Sequence, residues 1–369
     1  MNIVLASILK PVDDVRLYHK IGLSLANHFP EQNFHFIGFA SNSLPTSKPS
    51  NAHFHPLYRF RRLSIKRLFA GVRFFRKLWQ LKPTTVVVAT FELLLPVYVY
   101  SWFRKVNIIY DVQENYYSNI RYTQVFPAFL RWPLATSIRM IERICHHQIS
   151  QYLLAETCYY EEMPFMQKKA LVLANKVKKI SIVHQPRQKN QLVYSGTISS
   201  DYGVFRTIDW ATQLHQINSQ ITLVIVGFCP NPKDWEQLQH CLKQYSFIRL
   251  IGGQQTVPHA QVMQELRQAT FAVMPYYVNK SVAGRIPTKF YECAALQTPI
   301  LVQQNPAWKT FIDTYPAGRF IDFDDLANVT TIWESVQQTT YYQKHSLDED
   351  IYWENEATNL LALWKTIQH

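Results

Sequence analysis

Short apolar runs rich in β-branched residues recur along the chain, separated by longer stretches in which apolar residues return at helical spacing. Strands are predicted at residues 2–7, 33–39, 85–89, 107–110, 191–195, 222–226, 247–250, 272–274 and 299–302. Runs that are apolar on both faces are the mark of buried parallel strands, and their alternation with amphipathic segments predicts parallel sheets with helices on both sides. Residues 176–190 break the pattern, carrying several charges and Pro186. The expected organisation is therefore an α/β chain of two Rossmann-like domains. Residues 1–175 form the first, 176–190 a linker, 191–345 the second, and 346–369 a final helix that returns to the first domain. In open parallel sheets, ligands are bound outside the carboxyl ends of the strands.

The richest segment for chemistry is GRIPTKFYECAALQTPIL at 284–301. Pro287 suits the first position of a helix, where a missing N–H costs nothing. Thr288, Lys289 and Phe290 would then present backbone N–H groups at a positive helix end, and with the Lys289 ammonium these can hold a diphosphate. Glu292, one turn on, can accept hydrogen bonds from a ribose diol. Earlier in the chain, Val193-Tyr194-Ser195-Gly196-Thr197 followed by Gly203 reads as a strand running into a glycine loop that lets backbone approach a phosphate. Asp111-Val112-Gln113-Glu114 follows the strand at 107–110, where acids would face a cleft, although Asp111 could equally cap the next helix.

Taken together, these segments resemble family 4 glycosyltransferases of the B-type fold. Pro287-x-Lys289-x-x-Glu292 is similar to that family's nucleotide-sugar signature, and Asp14-x-Arg16-x-x-x-Lys20 to the start of its first helix. Tyr110-Asp111-Val112-Gln113-Glu114-Asn115 resembles its Asp-x-His-Glu element, and Asn175 stands where the family has an interdomain asparagine. The resemblance implies donor contacts from Gly196, Thr197, Arg285, Thr288, Lys289 and Glu292, and acceptor-side contacts from Asp13, Asp14 and Arg16. It leaves Asp111 or Glu114 to activate the acceptor, with Gln113 hydrogen-bonding a sugar hydroxyl. Departures from the family are equally specific. Thr197 and Tyr202 replace a phosphate-neutralising Arg and Lys, Gly284 replaces an acid that holds the donor sugar, and Gln113 replaces a His. Those changes shift charge neutralisation of the leaving diphosphate towards Lys289 and Arg285.

Composition narrows the picture. At 369 residues the chain suits two domains, and its 47% hydrophobic content is ample for two cores. Five cysteines form no Cys-x-x-Cys pair, which argues against a disulfide framework or a zinc site. Asp322-Phe323-Asp324-Asp325 looks like a metal-binding Asp-x-Asp but precedes an amphipathic run at 326–336, so a helix N-cap is expected, with no catalytic metal and no cofactor. The chain opens directly into a strand pattern with no signal peptide, and the apolar stretch 86–103 is interrupted by Glu92 and Pro96. A cytoplasmic protein is expected.

Net charge is +12, concentrated at 59–82, where nine cations occur with no acid. Arg61, Arg62, Lys66, Arg67, Arg73 and Lys77 interleave with Phe69, Phe74 and other apolar residues at helical period, the make-up of a helix lying on an anionic membrane surface. No nucleic-acid-binding module accompanies the charge, and no nucleic-acid partner is expected. The reading is a membrane-peripheral enzyme at the inner face of the cell membrane. It would move a sugar, with retention, from a nucleoside-diphosphate sugar to a glycan acceptor carried on a lipid. Its rivals are a catalytically silent sugar-nucleotide-binding partner of a glycosyltransferase and an epimerase on the same fold.

Overall fold

The computed structural model describes residues 1–41, 44–45, 47–60, 64–123, 126–179, 186–342 and 349–368. It divides into two compact units, residues 1–178 with 353–369, and residues 179–352.

The first unit is built on β1 (Asn2–Pro11), β2 (Asn33–Phe39), β3 (Ala52–Tyr58), β4 (Thr85–Val88), β5 (Asn107–Val112), β6 (Ile149–Leu154) and β7 (Ala170–Val172). The second contains β8 (Gln191–Thr197), β9 (Thr222–Phe228), β10 (Ile248–Gly253), β11 (Phe271–Met274), β12 (Ile300–Gln303) and β13 (Gly318–Ile321). Their orders are β3-β2-β1-β4-β5-β6-β7 and β10-β9-β8-β11-β12-β13, and neighbouring strands run parallel throughout. Each sheet reverses its winding beside its first strand, the doubly wound topology.

Helices of the first unit are α1 (Leu23–His28), α2 (Ala70–Leu81), α3 (Leu94–Ser101), α4 (Tyr116–Tyr122), α5 (Ala128–Cys145) and α6 (Cys158–Glu162). The second unit has α7 (Val204–Ile217), α8 (Pro232–Gln244), α9 (His259–Gln268), α10 (Thr288–Ala295), α11 (Pro306–Thr314) and α12 (Val329–Gln338), and the chain closes with α13 (Trp353–Gln368). Ahead of α1, Val15–Gly22 form a π-helix whose start is capped by Asp14, which accepts from the N–H groups of Arg16 and Leu17.

Two apolar layers sandwich the first sheet. One side packs α2, α3 and α5 through Phe74, Leu78, Leu94, Val97 and Cys145. The other packs the π-helix and α13 through Leu17, Tyr18, Trp353, Leu360 and Trp364. The return of α13 is fixed by polar contacts as well. The Trp353 indole donates to Ser24 Oγ at 3.0 Å, the Trp364 indole to Gln32 Oε1 at 3.3 Å, and Lys176 pairs with Glu356 at 2.7 Å.

Several expectations need correction. β3, β6, β7 and β13 were not anticipated. β3 sits at a sheet edge, where Pro56 costs no ladder bond, and its polar His53 and His55 hide the apolar pattern. His55 and His35 bring ring nitrogens to 3.0 Å, and burial, with nearby cationic or titratable neighbours, lowers both imidazoles to about 4. Phe74, expected at a membrane, is wholly buried, because Ala70, Phe74 and Leu78 form the stripe of α2 that faces the sheet. Arg67 is engaged by Glu92, while Phe69 is 61% exposed and Lys66 and Arg73 also face outward. Lys77 is half-buried, and Arg61 and Arg62 lie outside the described residues. The segment 86–103 is a strand followed by an eight-residue helix, and among the described residues no helix is long and apolar enough to cross a membrane. Asp322 to Asp325 form a turn rather than an N-cap, since α12 begins only at Val329 and Asp324 is held by Arg206 at 2.6 Å.

Candidate functional site

In the second unit the candidate groups gather at the carboxyl ends of β8, β10 and β11 and at the starts of two helices. Gly196 at the end of β8 has φ +125°, open to glycine alone, and leads into an exposed Thr197. Gly203 closes the loop with φ +77°, and a Cβ there would stand 2.3 Å from the Pro275 carbonyl oxygen. Any side chain at 203 would push the loop away from the end of β11. Tyr202 of this loop meets Tyr276 edge to face at 6.1 Å. The Tyr276 phenol is pushed up by burial first and then by Cys293, Tyr202 and Glu292, which places Glu292 in the same neighbourhood.

Pro287 turns out to be the N-cap of α10 rather than its first residue, because its ψ of 136° is extended, and no side chain caps this helix. Thr288 and Lys289 are its first two residues, with the N–H groups that a helix leaves unpaired internally. Glu292 lies inward, 4% exposed. Lys289 Nζ donates to its Oε2 at 2.5 Å, and His259 Nε2 stands 2.8 Å from its Oε1. Burial alone would raise this carboxyl, but Lys289 and the His259 contact outweigh it and hold the group down to about 2. Glu292 is thus an enclosed anion held between Lys289 and His259, of which His259 is nearly half exposed. Each carboxylate oxygen keeps further acceptor capacity. Arg285 donates to Ser281 Oγ, and its carbonyl accepts from the Trp308 indole at 2.7 Å, which fixes the turn before α10.

His259 was missed from sequence. It opens α9 directly after Pro258, downstream of the turn at Gly252 and Gly253, and a polar residue opening a helix after a strand and a glycine pair is the signal that could have found it. Asp234 was also missed. It is buried and accepts from the Ser200 N–H at 3.3 Å, so the glycine loop is tied to α8.

In the first unit, residues widely separated in sequence are brought together. Arg16, from the π-helix, grips Asp111 with Nε at 3.0 and 3.1 Å and with a terminal nitrogen at 2.8 Å, and donates to the Leu173 carbonyl at 2.9 Å. Gln113 Nε2 donates to the same carboxylate at 2.9 Å. Arg16 is 3% exposed and Asp111 fully enclosed. The expected cleft-facing acid is therefore an interior ion pair, because the Asp111 side chain projects from β5 into the layer occupied by the π-helix. Lys20, on the same π-helix, donates to Asn175 Oδ1 at 2.6 Å. Glu114 is half-buried and accepts from Asn119 at 2.7 Å. Asp14 is the helix cap described above. Asp13 differs from the rest: Oδ2 accepts from Ser41, while Oδ1 is buried with no partner among the described residues. Among those residues no cluster of three or more His, Cys, Asp or Glu side chains is placed to hold a metal ion.

Solved structures with the same architecture span the whole chain. Sucrose-phosphate synthase from Thermosynechococcus elongatus aligns with a TM-score of 0.73 at 12% identity, over 100% of this chain and 99% of that one. HepE from Anabaena, in complex with UDP and glucose, aligns at 0.67 and 12%, over 99% of each chain. A UDP-forming α,α-trehalose-phosphate synthase from Burkholderia xenovorans, in complex with glucose-6-phosphate, aligns at 0.67 and 8%, over 100% of each. The chain has the glycosyltransferase-B fold. At such identities the likeness carries the fold alone. No protein-family model matches the chain, and no curated protein matches it by sequence.

Proposed function

We propose that the protein is a glycosyltransferase, moving a hexose from a nucleoside-diphosphate sugar to a glycan acceptor carried on a lipid, with retention and without a catalytic metal. The observation that carries this reading is the anionic clamp of Glu292 with Lys289 and His259 at the start of α10, beside the glycine loop that ends β8. On this fold, that arrangement supplies a carboxylate for a ribose diol and a positive helix end for a diphosphate in one turn of chain. Lys289, Arg285, the Thr288 N–H and the Gly196–Thr197 backbone would hold the diphosphate and stabilise its departure. Uridine diphosphate is the first nucleotide to test, because two of the similar structures are described with UDP or as UDP-forming.

On the acceptor side, the enclosure of Asp111 moves the proposed proton acceptor to Glu114 or to Asp13, whose Oδ1 has no partner among the described residues. Arg16 and Asp111 become positioning residues that lock the π-helix to β5, and Asp14 a helix cap. The enclosed acid also supports the rival reading of a silent nucleotide-sugar binder. The proposed location is the inner face of the cell membrane, reached through the outward cations of α2 and the segment before it.

Calorimetric titration with UDP, GDP, ADP and CMP tests the donor site, and acceptor-dependent release of the nucleoside diphosphate tests transfer. Tight binding of one diphosphate, with release only when a glycan acceptor is present, is the expected result. Binding without release would leave the silent partner standing, and binding of none would sink both.

A further inference from the structure

The exposed apolar residues of the first unit are not scattered. Its first sheet carries on one face a layer in which α3 packs between α2 and α5. Parallel strands joined by right-handed crossovers make such connecting helices run side by side, so the far ends of α3 and α5 lie together, and residues 101–106 indeed share a pocket with Gln148. At that end Trp102 and Phe103 are 63% and 62% exposed, and Met140 and Ile144 face outward nearby on α5. Trp79 of α2 meets Phe103 at 6.1 Å, beneath the Arg104 guanidinium. At the opposite end, the first two turns of α5 present Phe129 and Trp132, 78% and 60% exposed. Large aromatic side chains this open, at both ends of one layer, are beyond what a solvated surface needs.

Charge decides what covers them. α2 and α3 contain no acid, and the one acid of α5, Glu142, is buried against Arg139 and Tyr110. Arg73, Arg76, Arg104, Lys105 and Arg143 are exposed on the same three helices or just beyond them. An apolar face with aromatic residues at both ends, flanked by cations and without an exposed acid, matches an anionic bilayer surface.

We infer that the outer face of the α2–α3–α5 layer docks flat on an anionic membrane, with Trp102 and Phe103 at one end and Phe129 and Trp132 at the other seated at headgroup depth. This deepens the membrane location proposed above and rests on it. It extends that reading from the charge of one helix to a three-helix face anchored at two ends.

The test is flotation with vesicles of phosphatidylcholine, alone or with about one third phosphatidylglycerol, which adds the negative surface that cations recognise. F129S/W132S and W102S/F103S, each replacing only exposed residues, are compared with R73S/R76S. UDP calorimetry and the thermal transition check that each variant is folded. Each aromatic pair should weaken binding to the anionic vesicles by about 30-fold, the loss of two interfacial aromatic side chains. If both aromatic variants float like the parent while R73S/R76S does not, the two-ended docking is overturned and the charge-based membrane reading survives. If the parent protein binds neither vesicle, both fail. A concentration-dependent dimer that W132S dissolves would also overturn the inference, because a second copy would then cover the face.

Discussion

Replacing Glu292 by Gln separates a nucleotide site from a merely structural ion pair. Glu292 is 4% exposed, and both its oxygens are engaged, by Lys289 at 2.5 Å and His259 at 2.8 Å. A carboxyl held at about 2 rather than 4.5 favours its charged form by about 3 kcal/mol, so the amide should lower folding stability by up to about that amount whatever the site does. Hydrogen bonds to a charged group contribute roughly 1.5 to 3 kcal/mol each. If Glu292 accepts the ribose hydroxyls, then, UDP should bind E292Q about 30-fold or more weakly. Calorimetry with UDP and 2′-deoxy-UDP on both proteins completes a cycle whose interaction energy belongs to the carboxylate and the hydroxyl alone. The parent protein should prefer UDP by about tenfold or more, and E292Q by no more than about twofold. Equal preference in the two proteins, with only stability reduced, would refute the ribose assignment. H259A provides a second reading. It removes one partner of the carboxylate, so the stability that Glu292 contributes above pH 4.5 should be smaller than in the parent, and its loss, which starts near pH 4.5 in both proteins, should be complete at a higher pH in the variant.

Truncation after Tyr352 removes the buried Trp353, Leu360 and Trp364, each contributing about 1.5 to 3 kcal/mol, a sum that rivals the whole stability of a domain; circular dichroism and urea unfolding should find the first unit unfolded. D111A leaves Arg16 charged and enclosed and should cost about 3 to 5 kcal/mol, whereas R16M/D111L should recover much of that loss in chemical denaturation. His35 and His55 titrate near 4 when folded and near 6.5 when unfolded, so the unfolded chain gains protons first as pH falls. Stability should therefore decline between pH 6.5 and 4 by about 2 kcal/mol for each ring, a figure reduced for their partial exposure, and H35N/H55N should flatten that slope.

Legibility in the sequence followed the range of the interaction. Strands buried on both faces announce themselves through runs such as those at 85–88 and 300–302, because every side chain there is buried. β3 did not, because His53, His55 and Pro56 occupy an edge where one side needs no apolar residue. Within the site, Lys289 and Glu292 are one helical turn apart and can be read as a pair; His259 reaches Glu292 from another helix across 33 positions, and no local pattern encodes that approach. Arg16 and Asp111 were singled out separately as substrate groups. That they satisfy each other in the interior depends on the π-helix packing on β5, a tertiary fact. The basic stretch shows the limit most plainly. Helical period separates the apolar from the charged positions of α2, but which apolar residues face the sheet is settled by packing, so Phe74 went inward and Val72 outward.

The discontinuity of the first unit bears on how the protein is made. Its sheet belongs to residues 1–178, yet α13, which covers Leu17, Tyr18 and Leu25 on one face, is synthesised only after the whole second unit. A ribosome must therefore complete all of residues 179–352 before the first sheet can be closed. Through that interval the second unit is free to fold as an uninterrupted stretch of chain, while the first waits with an apolar face uncovered, open to chaperones or to a neighbouring nascent chain. The order of folding is then the reverse of the order of synthesis: the unit begun first is finished last.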